Sequence, residues 1–299
     1  MALSVEHATK KFGDFTAVDD LSLRVEEGEM HGFLGANGSG KTTTFRMILG
    51  LLDPTLGQIT WNGKPINYES SPIIGYLPEE RGLYPKMKVE DQLVYLAQLR
   101  RMSKADAKRE TAAWLERFEV PHYAGKKVEE LSKGNQQKIQ LIASLVHKPS
   151  LVILDEPFSG LDPVNVGMLK SAILDVQKQG ATIVFSSHRM DHVEELCDDM
   201  SILDHGKVVV GGSIREVKRN FGKQNVRLKM DQDLGNLSGL PGVEKYTETI
   251  DGALLQISDE STAQSILEEA MKLGQLRHFS IEEPSLEEIF IAKVGKAYA

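Results

Sequence analysis

The run Gly35-Ala36-Asn37-Gly38-Ser39-Gly40-Lys41-Thr42 carries the clearest chemistry in the chain. It matches G-x-x-x-x-G-K-[ST] and lies between a predicted strand and a predicted helix, the setting that a phosphate-binding loop requires. Glycines let a backbone wrap an anion without Cβ clashes. Bared N–H groups and a helix N-terminus supply positive potential. Lys41 is expected to bridge the β- and γ-phosphates of a nucleotide, and Thr42 to ligate Mg²⁺. A plain Gly-rich turn has no need of Lys-Thr at this offset. The glycine spacing differs from the G-x-G-x-x-G of dinucleotide sites, which disfavours a Rossmann cofactor.

A second candidate is Asp155-Glu156-Pro157, delivered by the apolar run Leu151–Leu154. Asp155 can hold Mg²⁺, directly or through water, while Glu156 can polarise a water that attacks a γ-phosphate. Neighbouring carboxylates push one pKa up, which suits a base. A third is Leu131-Ser132-Lys133-Gly134-Asn135-Gln136-Gln137. Here Ser132 can cap a helix and Gly134 permits close backbone approach, giving either another anion site or an ordinary helix start.

These residues need strand ends and helix starts to present them. Short apolar runs at Met30–Leu34, Leu151–Leu154, Thr182–Ser186 and Ser201–Leu203 read as buried strands. The first three are followed by polar loops and then helical patterns. That alternation predicts an α/β core with a mostly parallel sheet. Between Pro85 and Lys148 the apolar spacing turns helical throughout, which predicts an all-helical insert. Asp204-His205-Gly206-Lys207 reads as a hairpin turn. After about Phe221, short strands are expected at Asn225–Met230, Val243–Thr247, Ala253–Ile257 and Arg277–Ile281. Helices are expected around Ala263–Met271 and Leu286–Ala292, so the tail reads as a small α+β domain. The expected limits are 1–215 for the first domain, with its helical part at about 85–148, and 216–299 for the second.

Together these motifs resemble the ABC ATPase family along the whole first domain. Asn37 to Lys41 is similar to its Walker A loop, Leu131 to Gln137 to its LSGGQ signature, and Asp155-Glu156 to its Walker B and catalytic glutamate. Ser159-Gly160-Leu161-Asp162 matches its D-loop and Ser187-His188 its switch histidine. The signature departs from the family pattern at Lys133 and Asn135 but keeps the Ser and Gly. The segment Gly75-Tyr76-Leu77-Pro78-Glu79 carries Glu where the family usually has Gln, and a carboxylate there could ligate Mg²⁺ or repel the γ-phosphate until the metal arrives. The resemblance implies a P-loop ABC ATPase core binding ATP and Mg²⁺. It implies nucleotide contacts from Phe12, stacked on adenine, and from Gly35, Asn37, Gly38, Ser39, Gly40, Lys41, Thr42, Thr43, Ser132, Gly134 and Gln136. Catalysis falls to Glu156, His188 and Lys41, and the metal to Thr42, Glu79 and Asp155. The tail Glu283-Pro284-Ser285-Leu286-Glu287-Glu288-Ile289-Phe290 and the run from Gly75 through Arg81 to Pro85 resemble ATPases of bacterial sodium-export and antibiotic-export systems.

The same resemblance implies a transmembrane permease and a second ATPase subunit, in a homo- or heterodimer, as partners. Composition fits. The 299 residues suit two domains, and 41% apolar with 26% charged residues can fill a core. A net charge of −8 argues against nucleic acid and anionic lipid as main ligands. No apolar stretch reaches the roughly 20 residues that span a bilayer. Met1 to His7 lacks a basic start and apolar run, so no secretory signal is expected. The one cysteine, Cys197, suits a reduced compartment. A peripheral place on the cytoplasmic face of a membrane follows as an expectation. The rival class, a soluble mechanoenzyme acting on ribosomes or DNA, usually carries two ATPase units or a long coiled-coil insert, and this chain has neither.

Overall fold

The computed structural model describes residues 2–80, 82–230 and 234–295, so Arg81 of the export-type run lies outside the described residues. The chain forms two compact units, Met1–Gly211 and Gly212–Ala299.

The first unit opens with antiparallel strands that alternation alone does not announce. These are β1 (Ala2–Phe12) and β2 (Phe15–Glu26). His7 and Asp20 adopt left-handed backbone at φ 50 and 53, and the β1–β2 register slips between Val5 and Lys11. Such bulges break the two-residue period on which a strand reading depends. Next come β3 (Met30–Leu34), α1 (Lys41–Ile48), β4 (Leu56–Trp61), β5 (Lys64–Pro65) and β6 (Ile74–Leu77). The helical insert follows as α2 (Val89–Leu99), α3 (Lys104–Arg117) and α4 (Lys133–Leu145). The α/β pattern resumes with β7 (Leu151–Asp155), α5 (Pro163–Lys178), β8 (Thr182–Ser187), α6 (Met190–Leu196), β9 (Asp199–Asp204) and β10 (Lys207–Ser213).

Two sheets result. One has the order β2-β1-β4-β5, with antiparallel pairings. The other has the order β10-β9-β3-β8-β7-β6, with parallel pairing from β9 through β6. The predicted parallel core is therefore present, and a separate antiparallel sheet accompanies it. One apolar cluster unites Leu3, Val5 and Val25 of the antiparallel sheet, Phe45 and Ile48 of α1, and Phe33, Ile153 and Val184 of the parallel strands. That packing holds α1 between the sheets. β3, β7 and β8 run the same way, so Leu34, Asp155 and Ser187 end on one edge of the sheet. The predicted hairpin joins β9 to β10, with His205 at φ 46 and Gly206 at φ 80, the paired left-handed turn that suits strand twist.

The second unit contains α7 (Ile214–Phe221), β11 (Gln224–Lys229), β12 (Val243–Thr249), β13 (Gly252–Ile257), α8 (Glu260–Leu273), β14 (His278–Glu282) and α9 (Leu286–Lys293). Its sheet has the order β12-β13-β11-β14 with antiparallel pairing, and Ala263, Ile266 and Ala270 of α8 pack on Val226, Leu228 and Leu255. This is the α+β pattern expected from the tail.

Candidate functional site

β3 ends at Leu34 and the chain turns through Gly35–Gly40 into α1. Gly40 is the N-cap of α1 at φ 107 and provides no side-chain cap. A Cβ there would fall 2.7 Å from Ala17 O, so only glycine fits both the backbone angle and the space. Ser39 O accepts from Gly206 N at 2.9 Å, which braces the loop on the β9–β10 turn. Ser39 Oγ is buried and has no hydrogen-bond partner among the described residues. Lys41 is buried too, and its Nζ donates to Gly35 O at 2.7 Å and Ala36 O at 3.1 Å. Burial pulls the Lys41 ammonium below the usual lysine range, opposed by the negative charges of Glu156, Asp155 and Glu79.

Asp155 ends β7 beside Ser186 of β8. Its Oδ1 accepts from Ser186 Oγ at 2.5 Å and its Oδ2 from Thr42 Oγ1 at 3.2 Å. Ser186 Oγ in turn accepts from Glu156 N at 3.0 Å. One hydroxyl on the neighbouring strand thus orients both acidic residues. Glu156 has φ 50, a left-handed backbone that costs a non-glycine residue about 1–3 kcal/mol and that the bond to Ser186 helps maintain. Its Oε2 meets His188 Nδ1 at 2.8 Å. Burial raises the Glu156 pKa, opposed by its bond to His188 and by the charges of His188 and Lys41.

A cavity of about 390 Å³ gathers Asn37, Gly38, Gly40, Lys41, Thr42 and Thr43 on one side and Glu79, Asp155 and Glu156 on another. Phe15 and Ala17 complete the wall. Of the residues singled out in the sequence, Gly35 and Ser39 support the loop from below. Phe12 is half exposed at the end of β1, with Lys10 Nζ 5.4 Å from its ring centre. Its cross-strand partner Phe15 is the aromatic side chain on the cavity wall. Ser132, Gly134 and Gln136 lie outside the cavity. Ser132 caps α4, its hydroxyl accepting from Asn135 N at 3.4 Å. Gln136 donates from Nε2 to Val128 O and Leu131 O, both at 3.1 Å, which shapes the turn before α4. His188 touches the cavity only through Glu156, and with it lines a smaller chamber of about 100 Å³. Sequence reasoning missed Phe15 and Ser186. Either needs strand register to be seen: Phe15 through its pairing with Phe12, Ser186 through its place opposite Asp155.

The hydroxyl of Thr42 and the carboxylates of Asp155 and Glu79 form an oxygen-only donor set, which suits a hard cation such as Mg²⁺. A glycine-lined helix start, a buried lysine and a strand-end acidic pair define a P-loop nucleotide hydrolase. Comparisons with known proteins narrow this. The ABC transporter family matches residues 18–159, and the C-terminal domain of DrrA1-3-like ATP-binding proteins matches residues 212–294. The chain is 58% identical over 296 residues to the ABC transporter ATP-binding protein YhaQ of Bacillus subtilis (strain 168), covering 99% of each. It is 29% identical over 307 residues to the linearmycin resistance ATP-binding protein LnrL of the same organism, covering 98% of each. A solved ATP binding subunit of an ABC transporter superposes with a TM-score of 0.70 at 30% identity, over 74% of this chain and 94% of that one. The chain belongs to the ATP-binding proteins of ABC transporters, and it is an ATPase.

Proposed function

We propose that this subunit drives export through a separate transmembrane permease, by ATP-dependent closure of an ATPase dimer. The observation that carries the catalytic part is the set Lys41, Thr42, Asp155 and Glu156, converging on one cavity with Ser186 and His188 behind the acidic pair. In this reading, residues 1–215 are the ATPase domain, with its helical part at 85–148, and residues 216–299 are an accessory domain that packs against or stabilises the dimer.

The loop N–H groups and Lys41 hold the β- and γ-phosphates, and an aromatic from the Phe12–Phe15 turn stacks on adenine. Thr42, Asp155 and Glu79 hold Mg²⁺, which when bound neutralises developing phosphate charge. Glu156 accepts a proton from the attacking water, helped by a pKa raised through burial. His188 orients Glu156 and, as its match to the switch histidine implies, donates to the γ-phosphate. Ser132 and Gly134 serve the nucleotide of the second subunit. Names of relatives such as the linearmycin resistance protein support export as the direction.

No helix among the described residues is long and apolar enough to cross a membrane. In this reading, force passes to a docked permease. The segment from Glu80 to Val94 is the proposed docking surface, where Tyr84 is 53% exposed and Met87 half-buried. Charge substitutions at Tyr84 and Met87 are expected to release the subunit from permease-containing membranes while ATP binding survives. Co-fractionation with and without the permease, paired with ATP titration, measures both. Membrane association that persists without any permease contradicts this surface.

A further inference from the structure

A row of glutamines on α4 is bonded to loops that lie far apart in the sequence. Gln136 reaches the turn at Val128 and Leu131. Gln137 Nε2 donates to Pro157 O at 3.1 Å, directly behind Glu156. Gln140 Nε2 donates to Pro78 O at 3.1 Å and to Glu80 O at 3.2 Å, on either side of Glu79. Positions 136 and 137 lie about one helical turn from 140, so one stretch of helix can serve all three loops.

Gln137 is 8% exposed and Gln140 4%. Gln140 Oε1 is buried with no partner among the described residues. A residue kept only to fill space would be apolar, because an unpaired buried acceptor is costly. What the amide contributes here is its donors. Pro78 and Pro157 lack an N–H and cannot anchor their turns as donors. The far end of the Glu79 segment is tied as well. Val128 N donates to Met87 O at 3.1 Å, Glu129 N to Pro85 O at 3.0 Å, and Val89 N to Lys126 O at 3.0 Å. The chain that leaves Glu79 is thus bonded to the chain that enters α4.

We propose that Gln137 and Gln140 are positioning residues: they strap the Glu156 and Glu79 loops to α4, so that contact at Ser132 and Gly134 adjusts both carboxylates of the helix's own cavity. The link to chemistry rests on the roles given above to Glu79 and Glu156; the straps rest on the hydrogen bonds alone.

Gln140→Met and Gln137→Met keep length and lose the donors. They are compared with the parent by peptide-resolved amide hydrogen exchange on the full chain, and by steady-state ATPase assay. Gln140→Met should speed exchange about tenfold across Gly75–Glu80, and Gln137→Met likewise across Pro157–Leu161, each sparing the other loop. The kcat should fall about tenfold while KM for ATP holds within about twofold. Unchanged exchange in both loops overturns the straps, and loosened loops with parental kcat overturn their link to catalysis. Glu156→Gln, assayed alongside, separates the two failures: full turnover there removes the catalytic reading, while exchange still judges the straps. If the methionine variants do not fold, Gln140→Glu replaces them. A neutral carboxyl can donate to a carbonyl and a carboxylate cannot, so its excess exchange over the parent should vanish as pH falls. An excess that does not change with pH overturns the proposal.

Discussion

The starts of α1 and α4 are both glycine-bearing helix N-termini suited to anions, and they are built in opposite ways. α1 begins after a left-handed Gly40 with no side-chain cap, which leaves its first N–H groups facing the cavity. Around it stand a buried lysine and the carboxylates of Asp155, Glu156 and Glu79. α4 begins after Ser132, whose hydroxyl caps its own helix on an exposed surface. Among the described residues, the cavity that holds Lys41, Asp155 and Glu156 does not include it. The first start can bind and hydrolyse a nucleotide. The second can only add contacts to one held elsewhere. In the proposed dimer the two starts are halves of one shared site.

Substitutions at the two helix starts should have unequal effects. The largest effect should come from Glu156→Gln, which keeps shape and removes the base. Turnover should fall roughly 100- to 10,000-fold with ATP affinity retained. Steady-state phosphate release and equilibrium ATP titration measure the two quantities, and parental turnover would remove Glu156 from the mechanism. Next is Lys41→Ala. Loss of a charged donor to phosphate should weaken ATP binding about 10- to 100-fold. Unchanged affinity in a titration would mean that α1 is not the phosphate site.

A smaller effect concerns pH. Glu156 must be ionised to act, and burial holds its pKa above the usual 4.5. Activity should therefore fall, as pH is lowered, at a higher pH than an ordinary glutamate would give. His188 pulls that pKa down through its hydrogen bond and charge. Conservative removal, as in His188→Ala, should then move the acid limb of kcat to higher pH. A limb that stays put, or moves down, would show that His188 does not govern the ionisation of Glu156.

Much of the catalytic half was legible because its residues follow one another in sequence. Gly35–Thr42 and Asp155-Glu156 declare themselves by spacing and by the apolar strands before them. The antiparallel sheet was not legible, since left-handed His7 and Asp20 interrupt the alternation of β1 and β2. Ser186 and Phe15 were missed for a related reason. Each owes its place to cross-strand pairing, which no local pattern encodes. The bonds of Gln137 and Gln140 carry no local signal, because the carbonyls they hold lie 20 to 62 positions away.

In the proposed dimer each nucleotide is shared between the start of α1 in one subunit and the start of α4 in the other. The most direct test of that sharing mixes two variants. Ser132→Arg should leave ATP binding to the isolated monomer intact and block α4 as a partner surface. Glu156→Gln, carried by both subunits, should hold ATP without turnover. A dimer in which one of the two Glu156→Gln subunits also carries Ser132→Arg then has a single intact composite interface, and that interface lacks the base. Counting occluded ATP in the isolated mixed dimer should give one molecule. Two fully occluded molecules would contradict the shared geometry.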